Sequence, residues 1–221
     1  LSLINSILDY TNIEAGRFHT EKKNFRLDTM VFNIAKPYVD AVNKKGITLF
    51  AVMRSGCPLT VEGDSEHVAI ALTHVLENAV KFTEQGKIEF AVSVDHDSSH
   101  QDDTIRISFS ILDTGIGIAQ NLYPSIFNPF TQGDSSYTRE YGGAGLGLAI
   151  AKSMIQSMGG DIRVNSEKVK GREFTTTVPF CFCRDEAEPD IIREDRVVFT
   201  NADSNSLLMG PNGDEQKAVS L

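Results

Sequence analysis

The sequence predicts an α/β protein: a two-layer sandwich in which a mixed, mostly antiparallel sheet packs against about three helices. Three patterns point to it. Two consecutive segments alternate apolar and polar residues, first Ile88, Phe90, Val92 and Val94, then Ile105, Ile107, Phe109 and Ile111, as strands with one buried face do. The polar stretch 95–104 between them reads as a long hairpin loop. Around them, apolar residues recur at helical spacing, at Val68, Leu72, Val75, Leu76 and Ala79, and again at Leu148, Ile150, Ala151, Met154, Ile155 and Met158. A sheet with one apolar face needs such helices as its cover.

The remaining elements follow in chain order. Leu1, Ile4, Ile7, Leu8 and Thr11 fall at helical spacing until Gly16, so the chain opens in what reads as the middle of a helix (1–17) and as a fragment of something longer. A helix over 28–43 places Val31, Ile34, Ala35, Tyr38 and Val42 on one face, with Pro37 predicting a kink or a late start. A strand is expected over 47–53. The helix over Ser65–Phe82 has Asp64 as its cap. Gly159-Gly160 ends the last helix, and 162–165 with 174–180 make a final strand pair. From Arg184 onward nine acidic residues face four basic ones, so 184–221 reads as an acidic tail or linker after a domain spanning 18–183. Arg196-Val-Val-Phe carries a short strand pattern but is read with the tail.

Composition narrows the function. Hydrophobic residues at 41% and charged residues at 23% are ordinary for a soluble globular domain. A net charge of −9 argues against nucleic acid as a partner, yet leaves room for a local anion site built from backbone N–H groups. Three cysteines, Cys57, Cys181 and Cys183, without framework spacing, fit a reducing compartment and make a zinc site improbable. No apolar run approaches the roughly 20 residues that span a bilayer. The expected location is cytoplasmic, which leaves room for a membrane tether elsewhere in the whole protein. His96 and His100 read as solvated loop residues.

Three clusters carry chemistry. His74, Asn78 and Lys81 share the helix face opposite the apolar stripe. An Asn oxygen suits Mg²⁺, and a Lys one turn on can neutralise phosphate. Asp113 ends a buried strand, where a carboxylate needs a donor such as an adenine amino group. Gly115 and Gly117 let backbone approach a flat base. Gly143-Ala-Gly-Leu-Gly opens a helix, whose N–H groups and dipole favour phosphate. That run is neither a P-loop nor a dinucleotide turn. The ordered conjunction of all three is far more specific than any one.

With these motifs the sequence resembles the histidine kinases, in the ATPase superfamily shared with gyrase, Hsp90 and MutL. Leu76-Glu-Asn-Ala-Val-Lys-Phe-Thr resembles the N box, Asp113-Thr-Gly-Ile-Gly-Ile the G1 box, and Ile126-Phe-Asn-Pro-Phe-Thr-Gln the F box. Thr138-Arg-Glu-Tyr-Gly-Gly-Ala-Gly-Leu-Gly-Leu-Ala-Ile resembles the lid end and G2 box. Leu3-Ile-Asn-Ser-Ile-Leu-Asp-Tyr-Thr-Asn-Ile-Glu-Ala-Gly resembles the end of the second dimerisation helix, in the style of hybrid kinases that continue into a receiver domain.

The resemblance implies a Bergerat-type ATP-binding fold with ATP and Mg²⁺ as ligands. Asn78 would hold Mg²⁺; Lys81 and Phe82 would line the nucleotide. Asp113 would take the adenine amino group, with Gly115, Gly117 and Ile118 shaping that wall. Residues 118–141 would form a lid anchored by Phe127 and Phe130. Arg139, acting with Lys81 in catalysis, would reach the phosphates that Gly143, Gly145, Leu146, Gly147 and Leu148 cradle.

The implied reaction is phosphoryl transfer from ATP to a histidine on the chain's own upstream dimerisation helix, in a homodimer that passes phosphate to a receiver domain. The acceptor histidine is expected outside this chain. Four departures stand out: His74 replaces the usual first Asn of the N box, Ala144 replaces a common Thr, and Arg172 and Glu173 occupy places where small hydroxyl residues usually adjoin the adenine. Hydrolytic cousins carry a Glu one turn before the Asn; His74 stands there, so slow hydrolysis is expected. A nucleotide-binding pseudokinase or scaffold, and a hydrolytic ATPase, stay open as alternatives.

Overall fold

The computed structural model describes residues 11, 20–95, 104–131, 145–167, 171–182, 190–201, 207–209 and 215–217. Apart from Thr11, the expected dimerisation-helix end lies outside the described residues, as do Arg139, Gly143 and most of the 95–104 loop.

The chain begins with strand β1 (Lys23–Arg26) and helix α1 (Leu27–Ala35). Pro37 then breaks the predicted 28–43 helix as expected: a single 3-10 turn, Lys36–Tyr38, separates α1 from α2 (Val39–Lys45). Gly46, with φ +65°, ends α2 in the left-handed conformation that glycine adopts freely. Strands β2 (Thr48–Met53) and β3 (Thr60–Gly63) lead into α3 (Ser65–Phe82), whose cap is Asp64: its carboxylate accepts the His67 backbone N–H at 3.1 Å. The hairpin strands β4 (Lys87–Val94) and β5 (Thr104–Asp113) follow. After a 3-10 turn at Gln120–Leu122 come α4 (Gly147–Ser157), β6 (Asp161–Glu167) and β7 (Gly171–Phe182).

The sheet runs β1-β3-β7-β5-β4-β2-β8, with β8 spanning Arg196–Thr200 and β6 pairing the first half of β7. Every pairing is antiparallel except β2 with β4, the pair whose crossover contains α3. Helices α1, α3 and α4 cover one face. Phe90, Phe109 and Phe174 from the sheet and Leu72 and Leu76 from α3 are fully buried between the layers. The mixed, mostly antiparallel two-layer sandwich is the fold class that the sequence predicts.

One boundary differs. The stretch 190–201, read as tail, belongs to the sheet. Strand β8 pairs antiparallel with β2, and Phe199 is fully buried edge-to-face against Phe32, centroids 6.3 Å apart. The Asn201 side chain accepts the Leu49 N–H at 2.6 Å, and Arg54 pairs with Asp195 at 2.8 Å. Acids and arginines surround the apolar residues of the segment, but the buried side chains of Ile192, Val198 and Phe199 decide its fate. The edge strand β1 and its neighbour β3, four residues each, also went unpredicted. Strands β9 (Leu207–Met209) and β10 (Glu215–Lys217) form a separate two-stranded ribbon.

Candidate functional site

Alternation along β5 places Ile105, Ile107, Phe109 and Ile111 inward, and Asp113 continues that phase. A carboxylate therefore ends a row of core side chains, at 0% exposure. Two groups satisfy it. The Gly115 N–H donates to Oδ1 at 2.9 Å, a tight turn of the chain onto its own side chain. Arg172 Nε donates to Oδ2 at 2.7 Å.

Arg172 also obeys strand parity: on β7 it is in phase with Phe174, Thr176, Val178 and Phe180, and it sits directly opposite Asp113 in the β5–β7 register. Its Nη2 donates to the Asn78 carbonyl at 2.5 Å, and its Cζ lies 4.9 Å from the Phe82 ring centroid and 5.8 Å from that of Phe174. At 6% exposure it ties β5, β7 and the end of α3 into one buried knot. Glu173 departs less than the sequence suggests, because it points to the other face and accepts from Ser110 Oγ at 2.6 Å.

Gly115 is required by space. A Cβ there would come within 2.4 Å of the Phe82 carbonyl and 2.8 Å of Asp113 Oδ1. The loop thus lies flat on the last turn of α3. Gly117 adopts φ +68°. The Ile118 N–H donates to Ser166 Oγ at 2.8 Å, so β6 anchors the start of the expected lid. Within that lid Phe127 packs edge-to-face on Phe174, whereas Phe130 is 67% exposed.

On α3, Asn78 Nδ2 donates to the His74 carbonyl at 3.0 Å, which leaves the amide oxygen for an incoming group. Lys81 Nζ sits 5.0 Å from the Phe82 centroid, and burial, with the nearby Arg172 charge adding to it, lowers the Lys81 pKa. The end of α3 is held by Lys45, whose ammonium donates to the carbonyls of Val80, Lys81 and Thr83 at 3.0–3.2 Å.

The third component is α4. Leu146, the residue before it, makes no side-chain cap, and among the described residues no side chain caps its start, so its first N–H groups are directed out of the helix without an internal acceptor. Gly145 takes φ +68° against the carbonyl of Thr131, and a Cβ on Gly147 would lie 3.3 Å from His74 Nδ1. Leu146 is buried, and Gly147 and Leu148 are half-buried. The structure therefore brings Asn78, Lys81, Phe82, Asp113, Gly115, Gly117, Ile118 and residues 145–148 to one end of the sandwich. A groove of about 680 Å³ lies elsewhere, lined by Asn24, Phe25, Met30, Tyr38 and Glu66 among others, and none of those site residues lines it.

Known proteins resemble this chain in sequence and fold. Residues 63–181 match the family described as histidine kinase-, DNA gyrase B- and HSP90-like ATPases. The chain belongs to that family. Its curated relatives include the hybrid signal transduction protein dokA of Dictyostelium discoideum, 40% identical over 178 residues, 80% of this chain and 10% of that protein. The sensor histidine kinase GacS of Pseudomonas protegens is 34% identical over 188 residues, 85% of this chain and 20% of that one. The chain thus spans a tenth to a fifth of these relatives' length. Among solved structures, full-length ShkA in complex with AMPPNP superposes with a TM-score of 0.71 at 29% identity, covering 82% of this chain and 36% of ShkA. The histidine kinase AdeS of Acinetobacter baumannii, at 19% identity and a TM-score of 0.60 over 80% of this chain and 76% of that one, shares the fold. Among the described residues no helix is long and apolar enough to cross a membrane.

Proposed function

We propose that this chain is the ATP-binding module of a sensor or hybrid histidine kinase, which binds Mg-ATP and donates its γ-phosphate to a histidine on an upstream dimerisation helix of the same protein. The observation that carries this reading is the convergence of the α4 N-terminus, the Asn78 face of α3 and the Asp113–Gly115 turn at one end of the sheet.

Each part has a task. The N–H groups at residues 145–148 bind phosphate oxygens, with the helix dipole behind them. Lys81 and Arg139 spread the charge that develops during transfer. Asn78, its amide nitrogen held by the His74 carbonyl, turns a neutral hard oxygen outward; that donor suits Mg²⁺, which would shield the phosphates when bound. Asp113 recognises the base amino group. In the transfer the bond between the γ-phosphorus and its bridging oxygen breaks, a P–N bond to imidazole forms, and ADP leaves with the bridging oxygen. Imidazole is largely neutral at pH 7 and attacks without a strong base, so positioning and charge neutralisation do most of the catalysis.

Hydrolysis is slow in this reading. His74 stands one turn before Asn78, and Glu77 is exposed on a different face. The whole protein would act as a homodimer and pass phosphate to a receiver domain in a two-component relay, with this module on the cytoplasmic side. The test is to extend the chain upstream through the acceptor helix and incubate it with γ-labelled ATP. Acid-labile, alkali-stable label on the extended protein, and none on this chain alone, is the expected result. Label on this chain alone, or rapid phosphate release, would contradict it.

A further inference from the structure

In this structure the carboxylate assigned to the base already has a partner. Asp113 is 0% exposed and Arg172 6% exposed, and the guanidinium lies between the carboxylate, the Asn78 carbonyl and the rings of Phe82 and Phe174. No base can touch Asp113 while Arg172 is there, because no surface of that side chain is open to a probe the size of water.

We propose that Arg172 sets nucleotide affinity and base recognition at this site: its guanidinium is the built-in occupant of the base subsite, and an adenine binds Asp113 only when Arg172 leaves. This rests on the reading of Asp113 as the base-binding residue. The exchange conserves the hydrogen bond and gives up the ion pair. Arg172 Nε and an exocyclic amino group are both N–H donors, so one replaces the other on Oδ2, and the lost charge pairing is part of what Arg172 takes from nucleotide affinity. The flat guanidinium, held against two aromatic rings, marks a slot that accepts a flat conjugated group. A planar base is the same kind of occupant. A site whose competent form is only partly populated binds with an apparent dissociation constant raised by the inverse of that fraction. Arg172 therefore weakens ATP binding, although it stabilises the fold.

Removing the guanidinium should reverse that. Mg-ATP titrated calorimetrically into Arg172→Ser is expected to bind about tenfold or more tightly than into the unaltered chain, the worth of one charge-assisted hydrogen bond. Asp113→Ala in parallel should bind in neither background. Equal or weaker binding by Arg172→Ser, with binding by the unaltered chain still lost in Asp113→Ala, overturns the role of Arg172 and leaves the nucleotide reading standing. No binding by the unaltered chain or by Arg172→Ser overturns both.

A second readout needs no variant beyond one for assignment and covers the case in which Arg172→Ser fails to fold. The Arg172 Nε–H resonance of the labelled unaltered chain should be protected from exchange by the ion pair and should lose that protection as Mg-ATP saturates. Protection unchanged at saturation overturns the proposal.

Discussion

The proposed base end of the site, around Asp113 and Arg172, is buried and held by charge; the proposed phosphate end, at residues 145–148, is half-exposed at Gly145, Gly147 and Leu148 and held by backbone. At the base end the group proposed to read the ligand is also a structural group, because the Asp113–Arg172 pair joins β5, β7 and the end of α3. At the phosphate end the proposed binding groups are amides that α4 leaves without internal acceptors, with Gly145 and Gly147 among them. Affinity and stability are therefore coupled at one end and separable at the other.

Asp113→Ala should produce the largest effect. It leaves a guanidinium buried and unpaired, which costs about 3–5 kcal/mol, and it removes the base contact. Urea denaturation and ATP titration should fall together. Gly145→Ala should cost about 1–3 kcal/mol, from the strained φ of +68° and a Cβ placed 2.7 Å from the Thr131 carbonyl. ATP affinity should fall with it.

Gly147→Ala separates the two ends most cleanly. Its Cβ meets only the edge of the His74 ring, at 3.3 Å, so stability should change by less than about 1 kcal/mol. Ala keeps the backbone N–H, so any fall in ATP affinity should come from its Cβ narrowing the approach of a phosphate oxygen to the helix start, and should exceed the change in stability. A stability loss in Gly147→Ala as large as in Asp113→Ala would erase the contrast.

The smallest effect belongs to Lys81, between the two ends. Its pKa is lowered, by burial first and by Arg172 as well, so the folded state releases this proton before the unfolded state does. The unfolded state then binds more protons over the window from the lowered folded value up to the ordinary lysine value, and stability gains with rising pH there. Lys81→Met should flatten that rise and leave the protein slightly more stable at neutral pH. Denaturation midpoints across alkaline pH read both.

The sequence and the structure agree where a pattern is long. The inward alternation of β4 and β5, the stripe on α3 and the break at Pro37 are local signals, and each element stands where its pattern places it. Strand β8 was missed because its partner, β2, lies about 145 residues away in the chain and its own apolar content is three residues in a charged stretch. Arg172 was visible as a departure from the family's small hydroxyl residues, but its partner was not. Finding it requires the β5–β7 register, which pairs residue 113 with residue 172. The signal was present in parity: Asp113 is in phase with Ile111, and Arg172 with Phe174.

In the proposed function Mg-ATP binds where α3, the Asp113 turn and the start of α4 converge. Titration of Mg-ATP into the isotope-labelled chain, followed by backbone amide shifts, tests it most directly. Gly115, Gly117, Ile118 and residues 145–148 should shift together and saturate with one affinity, while Asn24 and Tyr38 in the distant groove and Val198 on β8 stay in place. Shifts that gather in the groove, or no saturable shift at the convergence, would contradict the account.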